Sequence, residues 1–564
     1  MLYDAFKTSS NGEASCSSCH IFGDFDSLSW DLGDPGGNVS QSPIPIKLGS
    51  AAEAQEPDIN GTGNVEDFHP MKGAMTTQTL RGLATHGHMH WRADRVVGFF
   101  PVGDPVGDEK VSFKNFIVAM VGLVGGDTPP TDPALQDDMD DFADFMLEVF
   151  LPPNPVLDLA NSLNGNELAG LLFFLGLDGP SSGGPGGLHG SDGAPFFQSP
   201  PLGFTCEGCH TLDPANGHFG GDGEQSFENE PQIVKIPHFR NLYQKVGMFG
   251  MPNVDFNTPG DSSHQGDQVR GTGFLHDGST DTIFRFLTAV VFENAELVPG
   301  FPVGFAAGAA GDTQRENVEQ FMLAFGGDLA PIVGQQVSLD GAPDADSLSR
   351  IVLMEARANA NFDSLMLGGT VKECDLIVKG TVGGIERGYL FDPGTSLYES
   401  DRVAEGTLTS LQMRDLALVA GQEITYTCAP PGSGTRMGID RDEDGFLDRD
   451  EIDFGTDPAN GAAFFGACND GQDNDGDSLI DLADPGCGAA NWHIENPACN
   501  DGWDNDGDGK IDLLDVQCTS ASLKIENFNP GGAKVCAVGP ELLVLLPLCW
   551  AVRRRRQRPG NRGA

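Results

Sequence analysis

The sequence is poor in basic residues. It has 33 lysine and arginine residues against 82 aspartate and glutamate residues in a chain of 564, for a formal net charge of −49. Because a phosphate backbone is bound through lysine and arginine, this balance argues against nucleic acid as a partner. It favours binding of cations or of a positively charged protein. The 76 glycines and 37 prolines indicate many turns and long loops, although the hydrophobic residues (39%) are enough for packed cores.

A leader-like start is also missing, since no basic region followed by an apolar run precedes Cys16. Most of the 12 cysteines nevertheless form close pairs, and pairs outside Cys-x-x-Cys spacing indicate disulfides and an oxidising compartment. We therefore expect the start to be internal to a longer, exported product. The expected location is the periplasm, outer envelope or surface of a bacterium.

Two Cys-x-x-Cys-His motifs carry the strongest chemical signal. Thiols at this spacing can add to the vinyl groups of a haem, and the adjacent histidine is then held against the iron. A redox Cys-x-x-Cys or half a zinc site would not explain a histidine directly after each second cysteine. The motifs predict two covalent c-type haems. The attachment residues are Cys16, Cys19, Cys206 and Cys209, and the proximal iron ligands are His20 and His210.

The surroundings of the two motifs repeat in the same order. Each motif is followed by an arginine-centred turn, "TLRGL" or "HFRNL", then by a histidine, and then by an amphipathic stretch containing "FML". This order indicates an internal duplication, with two haem modules in tandem.

The ordered set "SSNGEASCSSCH", "TCEGCH", "KIPHFRNL" and "GFLHDGS" resembles bacterial di-haem cytochrome c peroxidases and covers roughly residues 1 to 330. The resemblance implies two mainly α-helical cytochrome c-type domains, at residues 1–155 and 156–335. It also implies a helix before each motif, which Asn166–Gly176 supplies for the second module.

The sequence departs from that family at the distal haem ligands. Val290 stands where the family places a methionine, and no histidine lies between His20 and His69. Several other residues are candidates, and the sequence does not choose among them. They are Met71, Met75, His86, His88, Met89 and His90 for the first haem, and Met248, Met251 and His276 for the second.

Three functions therefore remain open at the level of the sequence. The first is electron transfer between redox partner proteins, with two six-coordinate haems. The second is a peroxidase-type oxidoreductase that reduces hydrogen peroxide and needs one open iron. The third is an envelope scaffold in which calcium repeats dominate.

The region after the haem modules is expected to hold a small β-rich domain with a helix, at residues 336–432. Ser347–Leu367 reads as helical, whereas Cys374–Phe391 and Glu423–Cys428 alternate or run apolar like strands. Cys374 and Cys428 are predicted to clamp this domain.

An acidic stalk of irregular calcium-binding repeats is predicted at residues 433–530. Carboxylates stand at positions 1, 3, 5, 9 and 12 of three loops, which is the calcium-loop spacing, and affinity is expected on the order of 0.1–1 mM. The first loop comprises Asp440, Asp442, Asp444, Phe446 (through its carbonyl), Asp448 and Glu451. The second comprises Asp473, Asp475, Asp477, Asp481 and Asp484, and the third Asp504, Asp506, Asp508, Asp512 and Asp515. The last two lie in near-identical units that resemble thrombospondin type 3 repeats, with expected disulfides Cys468–Cys487 and Cys499–Cys518.

The tail at residues 531–564 combines an apolar run, Leu542–Val552, with the basic cluster Arg553–Arg556. The run is short for a full membrane span of about 20 residues. The arrangement resembles bacterial C-terminal sorting tails and implies attachment to the membrane or cell surface.

Overall fold

The computed structural model describes residues 1–33, 36–41, 67–68, 72–86, 89–92, 109–177, 206–208, 210–214, 217–221, 225–226, 234–247, 271–289, 292, 295–298, 301–461, 468, 471–473, 479–484, 487 and 510–514. The chain divides into two compact units, Met1–Ile439 and Asp440–Ala564.

The described helices are mostly short. In chain order they are α1 (Ala5–Thr8), α2 (Glu109–Lys114), α3 (Val118–Gly122), α4 (Pro133–Leu147), α5 (Gly165–Phe174), α6 (Ile283–Phe286), α7 (Ala309–Leu323), α8 (Ala345–Asn359), α9 (Ser410–Asp415), α10 (Gly434–Gly438) and α11 (Asp448–Phe454).

The described strands fall into one large sheet and several small ladders. Up to residue 303 they are β1 (Ser29–Asp31), β2 (Ser40–Gln41), β3 (Asp67–Phe68), β4 (Ala74–Thr76), β5 (Leu212–Asp213), β6 (His218–Phe219), β7 (Gln225–Ser226), β8 (Val234–Lys235), β9 (Ala295–Val298) and β10 (Phe301–Val303). The later strands are β11 (Gln336–Leu339), β12 (Asn361–Ser364), β13 (Gly369–Lys372), β14 (Asp375–Val382), β15 (Ile385–Asp392), β16 (Leu397–Ser400), β17 (Thr407–Thr409) and β18 (Ile424–Ala429).

The large sheet is antiparallel and has six strands in the order β11-β18-β14-β15-β16-β17. Gly383 and Gly384, both with positive φ, form the two-residue turn between β14 and β15, a conformation that glycine adopts without steric cost. Helix α8 buries Ile351 and Met354 in the same apolar cluster as the strand residues. A disulfide joins Cys374 to Cys428 beside this core, which is the pairing expected from the sequence.

Helix α8 is shorter than predicted. It ends at Asn359, and β12 then pairs with β13 over a stretch that was predicted to be helical up to Leu367. Gly368, in the turn between these strands, and Gly369, the first residue of β13, both have positive φ, so a hairpin replaces the last helical turns.

Two further apolar cores support the segment that carries the Cys-x-x-Cys-His motifs. In the first core, α2 and α4 pack together, and α4 buries its stripe at helical spacing from Leu135 to Met146. In the second, α5 packs against α7 so closely that a Cβ on Gly170 would lie 2.0 Å from the carbonyl oxygen of Asn317. Helix α5 occupies the place of the helix predicted before the second motif.

The expected fold class is wrong. The chain is mixed α/β, with a six-stranded sheet and many two-stranded ladders, and it does not contain two mainly α-helical cytochrome domains. Among the described residues before 330, long helices are limited to α4, α5 and α7, and ladders such as β1–β4 and β5–β6 flank the motifs. The predicted helical content came from the family resemblance, whereas the glycine- and proline-rich stretches around the motifs favour turns and short strands.

The two predicted haem modules interlock through backbone hydrogen bonds. The Thr76 N–H donates to the His276 carbonyl at 2.7 Å, and the Lys235 N–H donates to the Trp91 carbonyl at 2.7 Å. Thr76 and Lys235 are each five residues before the arginine of the repeated turn. Each module therefore holds the histidine-bearing segment of the other through an equivalent strand.

In the second unit, α11 begins within the first acidic loop, at Asp448, and is capped by Gly455, which has a left-handed conformation. A disulfide joins Cys468 to Cys487, as expected from the sequence. Cys499, Cys518 and the tail at residues 531–564 lie outside the described residues.

Among the described residues, no helix is long and apolar enough to cross a lipid bilayer.

Candidate functional site

The first Cys-x-x-Cys-His motif forms a tight turn. Residues Cys16–Ser18 are a 3₁₀ turn, and the His20 N–H donates to the Cys16 carbonyl at 2.8 Å. The His20 Nδ1 lies 3.3 Å from the Asp24 carbonyl oxygen. Because a carbonyl can only accept, this contact favours the tautomer that carries its proton on Nδ1.

The second motif repeats this geometry where it is described. Residues Cys206–Gly208 are a 3₁₀ turn, and the His210 N–H donates to the Cys206 carbonyl at 2.8 Å. The His210 Nδ1 lies 2.8 Å from the Gly220 carbonyl oxygen. Cys209 lies outside the described residues.

Each first cysteine packs against the apolar core of its own segment. Cys16 contacts the core of α2 and α4, and Cys206 contacts the core of α5 and α7. Burial raises the pKa of the Cys16 and Cys19 thiols. In His20, burial lowers the pKa, while the Asp24 and Gln78 carbonyls oppose this change.

The repeated arginine turns have the same backbone conformation. The residue after each arginine, Gly82 or Asn241, has positive φ (69° and 59°) and begins a 3₁₀ turn. Arg240 is buried and pairs with Asp328 at 2.8 Å. It also donates to the Gly82 carbonyl at 2.8 Å, so this side chain joins the two repeats.

The candidate distal ligands are only partly described. Met75 and Met89 are buried, and the His86 ring lies 4.8 Å from the His238 ring in a T-shaped contact. His276 is buried and His90 has a φ of 67°. Met71, His88, Met248 and Met251 lie outside the described residues.

A small cavity of about 20 Å³ lies where the two repeats meet. Its lining includes Thr76, Thr79, His86, Trp91, His238 and Lys245. The Lys235 side chain is buried, and its Nζ lies 3.3 Å from the Nε2 of His86.

The nitrogen groups around this cavity have strongly shifted pKa values. Burial lowers the pKa of Lys245 to about 8, although the Asp24 carboxylate raises it in part. Burial, together with the Lys245 charge, lowers the pKa of Lys235 well below its usual range. For His238, burial lowers the pKa first, and the neighbouring Arg240 charge lowers it further.

Sequence reasoning missed this cluster. Lys235 and Lys245 flank the "HFRNL" turn, but lysine is usually solvent-exposed, so position alone does not mark them. The available signal was the repeat itself, because Lys235 stands where the first repeat has Thr76.

The first acidic loop brings three of its carboxylates close together. One oxygen from each of Asp440, Asp442 and Asp444 lies within 4.8 Å of the others. Oxygens on opposite sides of a calcium ion are roughly 4.6–5.2 Å apart, given Ca–O distances of about 2.3–2.6 Å. Glu451 is fully buried at position 12.

Several carboxylate oxygens of this loop have no hydrogen-bond partner among the described residues. They are both Oδ atoms of Asp442, the Oδ2 of Asp444 and the Oε2 of Glu451. Burial, with the charges of Asp442 and Asp444, raises the pKa of Glu451 to about 7. Gly445, with a φ of 96°, makes the sharp turn, and its N–H donates to Asp440.

The other two loops are described only in part. In the second, the Gly471 N–H donates to Asp481, and Asp481–Ala483 form a 3₁₀ turn. The equivalent residues of the third loop, Asp512–Leu514, form the same turn. Asp475, Asp477, Asp504, Asp506, Asp508 and Asp515 lie outside the described residues.

No known protein family and no curated protein matches the chain. Among solved structures, a Kuenenia stuttgartiensis hydrazine synthase pressurized with 20 bar of xenon matches with a TM-score of 0.31 and 14% sequence identity. The match covers 57% of this chain and 84% of that chain. A likeness this weak carries no conclusion about fold or function.

Proposed function

We propose that the chain is an exported di-haem c-type cytochrome that transfers electrons between redox partner proteins, and that its first acidic loop binds calcium. The observation that carries the proposal is the matching geometry of the two motifs. In each motif, the backbone N–H of the histidine donates to the carbonyl of the first cysteine. The Nδ1 of the histidine lies within hydrogen-bond distance of a backbone carbonyl, that of Asp24 or Gly220.

This arrangement fits a haem because the proximal histidine must offer Nε2 with a fixed ring orientation. A carbonyl on Nδ1 fixes both the tautomer and the orientation. An apolar core beside Cys16 and another beside Cys206 suit the macrocycle's apolar faces. Haem bound at both motifs would supply two redox-active irons.

The chain's own residues would keep water from the proximal side of the second motif. Phe239 stacks on the His210 ring with centroids 4.7 Å apart, and Phe325 and Phe174 contact Phe239 in turn. A low-dielectric shell and the hydrogen bonds to the proximal ligand are among the features that tune a redox potential. The strongly acidic chain favours a positively charged redox partner.

The first acidic loop supports the calcium part of the proposal by its donor chemistry. Buried carboxylate oxygens without protein partners are costly unless a cation or a proton compensates them. Hard oxygen donors of this number suit calcium. The residues that would hold it are Asp440, Asp442, Asp444, Phe446 (carbonyl), Asp448 and Glu451.

The test is covalent haem content, measured by mass spectrometry after acid denaturation and solvent extraction of protein made in a host that attaches c-type haem. We expect the mass of two haems in the native chain and of one in Cys206→Ala. Glu207→Gln, in the same turn, is the matched control and should keep two. A native chain without covalent haem would refute the proposal.

Spectroscopy of the same protein separates electron transfer from peroxide reduction. Two low-spin haems that do not react with hydrogen peroxide are the expected result in visible and EPR spectra. A high-spin signal that peroxide consumes would replace electron transfer with the peroxidase function.

A further inference from the structure

The residues that precede the two repeated arginines, Leu80 and Phe239, occupy equivalent places in the two repeats. The Leu80 N–H donates to the Gly23 carbonyl at 2.9 Å, and the Phe239 N–H donates to the Phe219 carbonyl at 2.7 Å. In both repeats, the residue that follows this acceptor carries the carbonyl next to the Nδ1 of the motif histidine. The two histidines therefore share a backbone frame, within which the side chains at positions 80 and 239 differ.

This difference decides whether an aromatic ring covers the histidine. The Phe239 ring stacks on the His210 ring, with centroids 4.7 Å apart and 29° between the planes. Among the described residues, no aromatic ring stacks on His20. Leu80, at the equivalent position, has no ring with which to form such a stack.

The Phe239 ring is itself fixed by its surroundings. It is 2% exposed, and the rings of Phe174 and Phe325 contact it with centroid distances of 5.5 Å and 5.8 Å. All three rings belong to the core of α5 and α7. Because a close-packed core leaves a side chain few orientations, the Phe239 ring offers the imidazole a rigid surface.

The glycine at position 220 matches this stack. Gly220 has a φ of 97°, and a Cβ there would lie 2.6 Å from the Phe239 ring. In the first repeat, the equivalent carbonyl belongs to Asp24, which has a Cβ and a φ of −105°. The second repeat therefore combines a glycine with an aromatic ring, whereas the first combines an aspartate with Leu80.

We propose that Phe239 is a positioning residue for His210, and that positions 80 and 239 set how tightly each repeat restrains its histidine. The Gly220 carbonyl holds the edge of the His210 imidazole, and Phe239 covers one face and so fixes its plane. The inference rests on the proposed function and deepens it, because an imidazole held in one plane offers Nε2 to the haem iron in one orientation.

The test is EPR spectroscopy of the full-length, haem-loaded, oxidised chain. The signal of the second haem is the one that is lost, with the mass of one haem, in Cys206→Ala. In Phe239→Leu we expect this signal to broaden and shift, because the imidazole samples more orientations, while the signal of the first haem stays native. A folded Phe239→Leu variant with two native signals overturns the proposal.

A redox titration gives a second readout that a merely structural role would not move. Leucine in place of Phe239 opens the imidazole face to water, which stabilises the ferric state. The ratio of reduced to oxidised second haem, at its native midpoint potential, should therefore fall roughly threefold, a shift of about 28 mV. An unchanged ratio contradicts the positioning role.

Phe305→Leu is the matched control. Phe305 is also 2% exposed and lies in the same core, but its ring contacts are with Phe173 and Arg315. This variant loses the same atoms from the core and should leave both EPR signals and the ratio native. Changes equal to those of Phe239→Leu would show a general effect of core packing and would overturn the proposal.

Leu80→Phe is the reciprocal variant, and it adds a ring at a partly exposed position without emptying a core. It should change the EPR signal of the first haem alone. Should Phe239→Leu fail to fold, this variant decides, and a native signal of the first haem overturns the proposal. Covalent haem is weighed in the same samples: its absence refutes the proposed function, whereas two covalent haems with unchanged signals refute the positioning role alone.

Discussion

The six-stranded sheet and the loop Asp440–Glu451 bury charged side chains in opposite ways. In the sheet, Arg387 is bound by Asp401 at 2.7 Å, and both side chains are almost fully buried. In the loop, Glu451 is buried among like charges, and several carboxylate oxygens have no partner among the described residues. Removing one partner of a buried pair leaves an uncompensated charge, whereas burial of like charges is costly unless a cation or a proton compensates it.

The segment with the two Cys-x-x-Cys-His motifs contains both arrangements. Arg240 and Asp328 form a paired contact, with exposures of 1% and 0%. Beside it, Lys235 is buried near Lys245, whose positive charge adds to burial in lowering the pKa of Lys235. The comparison therefore predicts different consequences for substitutions that lie close together.

The largest effect is expected for Arg240→Met. It removes hydrogen bonds to Thr85 and Gly82 and leaves the Asp328 carboxylate buried without its partner, which costs about 3–5 kcal/mol of stability. Arg81→Met, at the equivalent repeat position, breaks a more exposed pair with Asp24 and should cost about 1 kcal/mol or less. Urea unfolding followed by tryptophan fluorescence measures both. Equal losses of stability in the two variants would contradict the prediction that the buried pair of Arg240 contributes more than the more exposed pair of Arg81.

Arg387→Met tests the paired burial inside the sheet. Without Arg387, Asp401 stays buried and loses its charged partner, although the Gly388 N–H still donates to it. We therefore expect the free energy of unfolding to fall by about 3 kcal/mol. Arg402→Met, which disturbs a partly exposed contact with Glu405, is the control at under about 1 kcal/mol. Hydrogen exchange of β14 to β18 reports the change. Added calcium should change the stability of neither variant. A loss of stability that depends on calcium would contradict the distinction between the sheet and the loop Asp440–Glu451.

Glu451→Gln tests the like-charge burial in the loop. Removing the charge at position 12 should weaken calcium binding at least tenfold, or by about 1.4 kcal/mol. It should also reduce the repulsion that Asp442 and Asp444 exert on this side chain in the calcium-free loop. The exposed Glu443→Gln, in the same loop, should keep native affinity. Isothermal calorimetry with calcium chloride measures both, and identical affinities for the two variants would argue against a calcium site.

The smallest effect is a dependence of stability on pH. The folded-state pKa of Lys245 is about 8, below its ordinary value of 10.5, so the unfolded chain binds more protons between these values. Stability should therefore rise as the pH increases from 8 to 9.5, before tyrosines of the unfolded chain ionise.

Thermal melts over this pH range give the slope. Lys245→Met should have a smaller slope than the native chain, and Lys372→Met should match the native chain. If Lys245→Met has the same slope as the native chain, the pH dependence does not come from Lys245.

The features that could be predicted are those set by near neighbours in the chain. The helix before the second motif appears as α5 because Asn164 and Glu167 form a capping box ahead of an apolar run. The repeated "FML" stretches close α4 and α7, and the strands around Cys374 and Cys428 lie where their alternation suggested. The end of α8 was misjudged because Gly368 and Gly369 turn the chain into a hairpin.

The features that could not be predicted depend on contacts between distant segments. The residues next to Lys235 in the sequence do not indicate that its backbone N–H donates to the Trp91 carbonyl, or that its side chain reaches His86. The helical content of the two predicted haem modules was overestimated for a related reason. The family resemblance rests on short motifs, and the long stretches between them decide the fold class.

The local motifs of this protein are evident from the sequence alone. They are two Cys-x-x-Cys-His turns, two arginine turns with a left-handed residue, and an acidic loop at calcium spacing. These need only a few consecutive residues, because each is closed by hydrogen bonds within a handful of positions. Which charges are buried together was decided by the tertiary structure. Thr76 and His276 are two hundred positions apart in the chain, and their hydrogen bond, with that of Lys235 and Trp91, brings the cavity's two halves together.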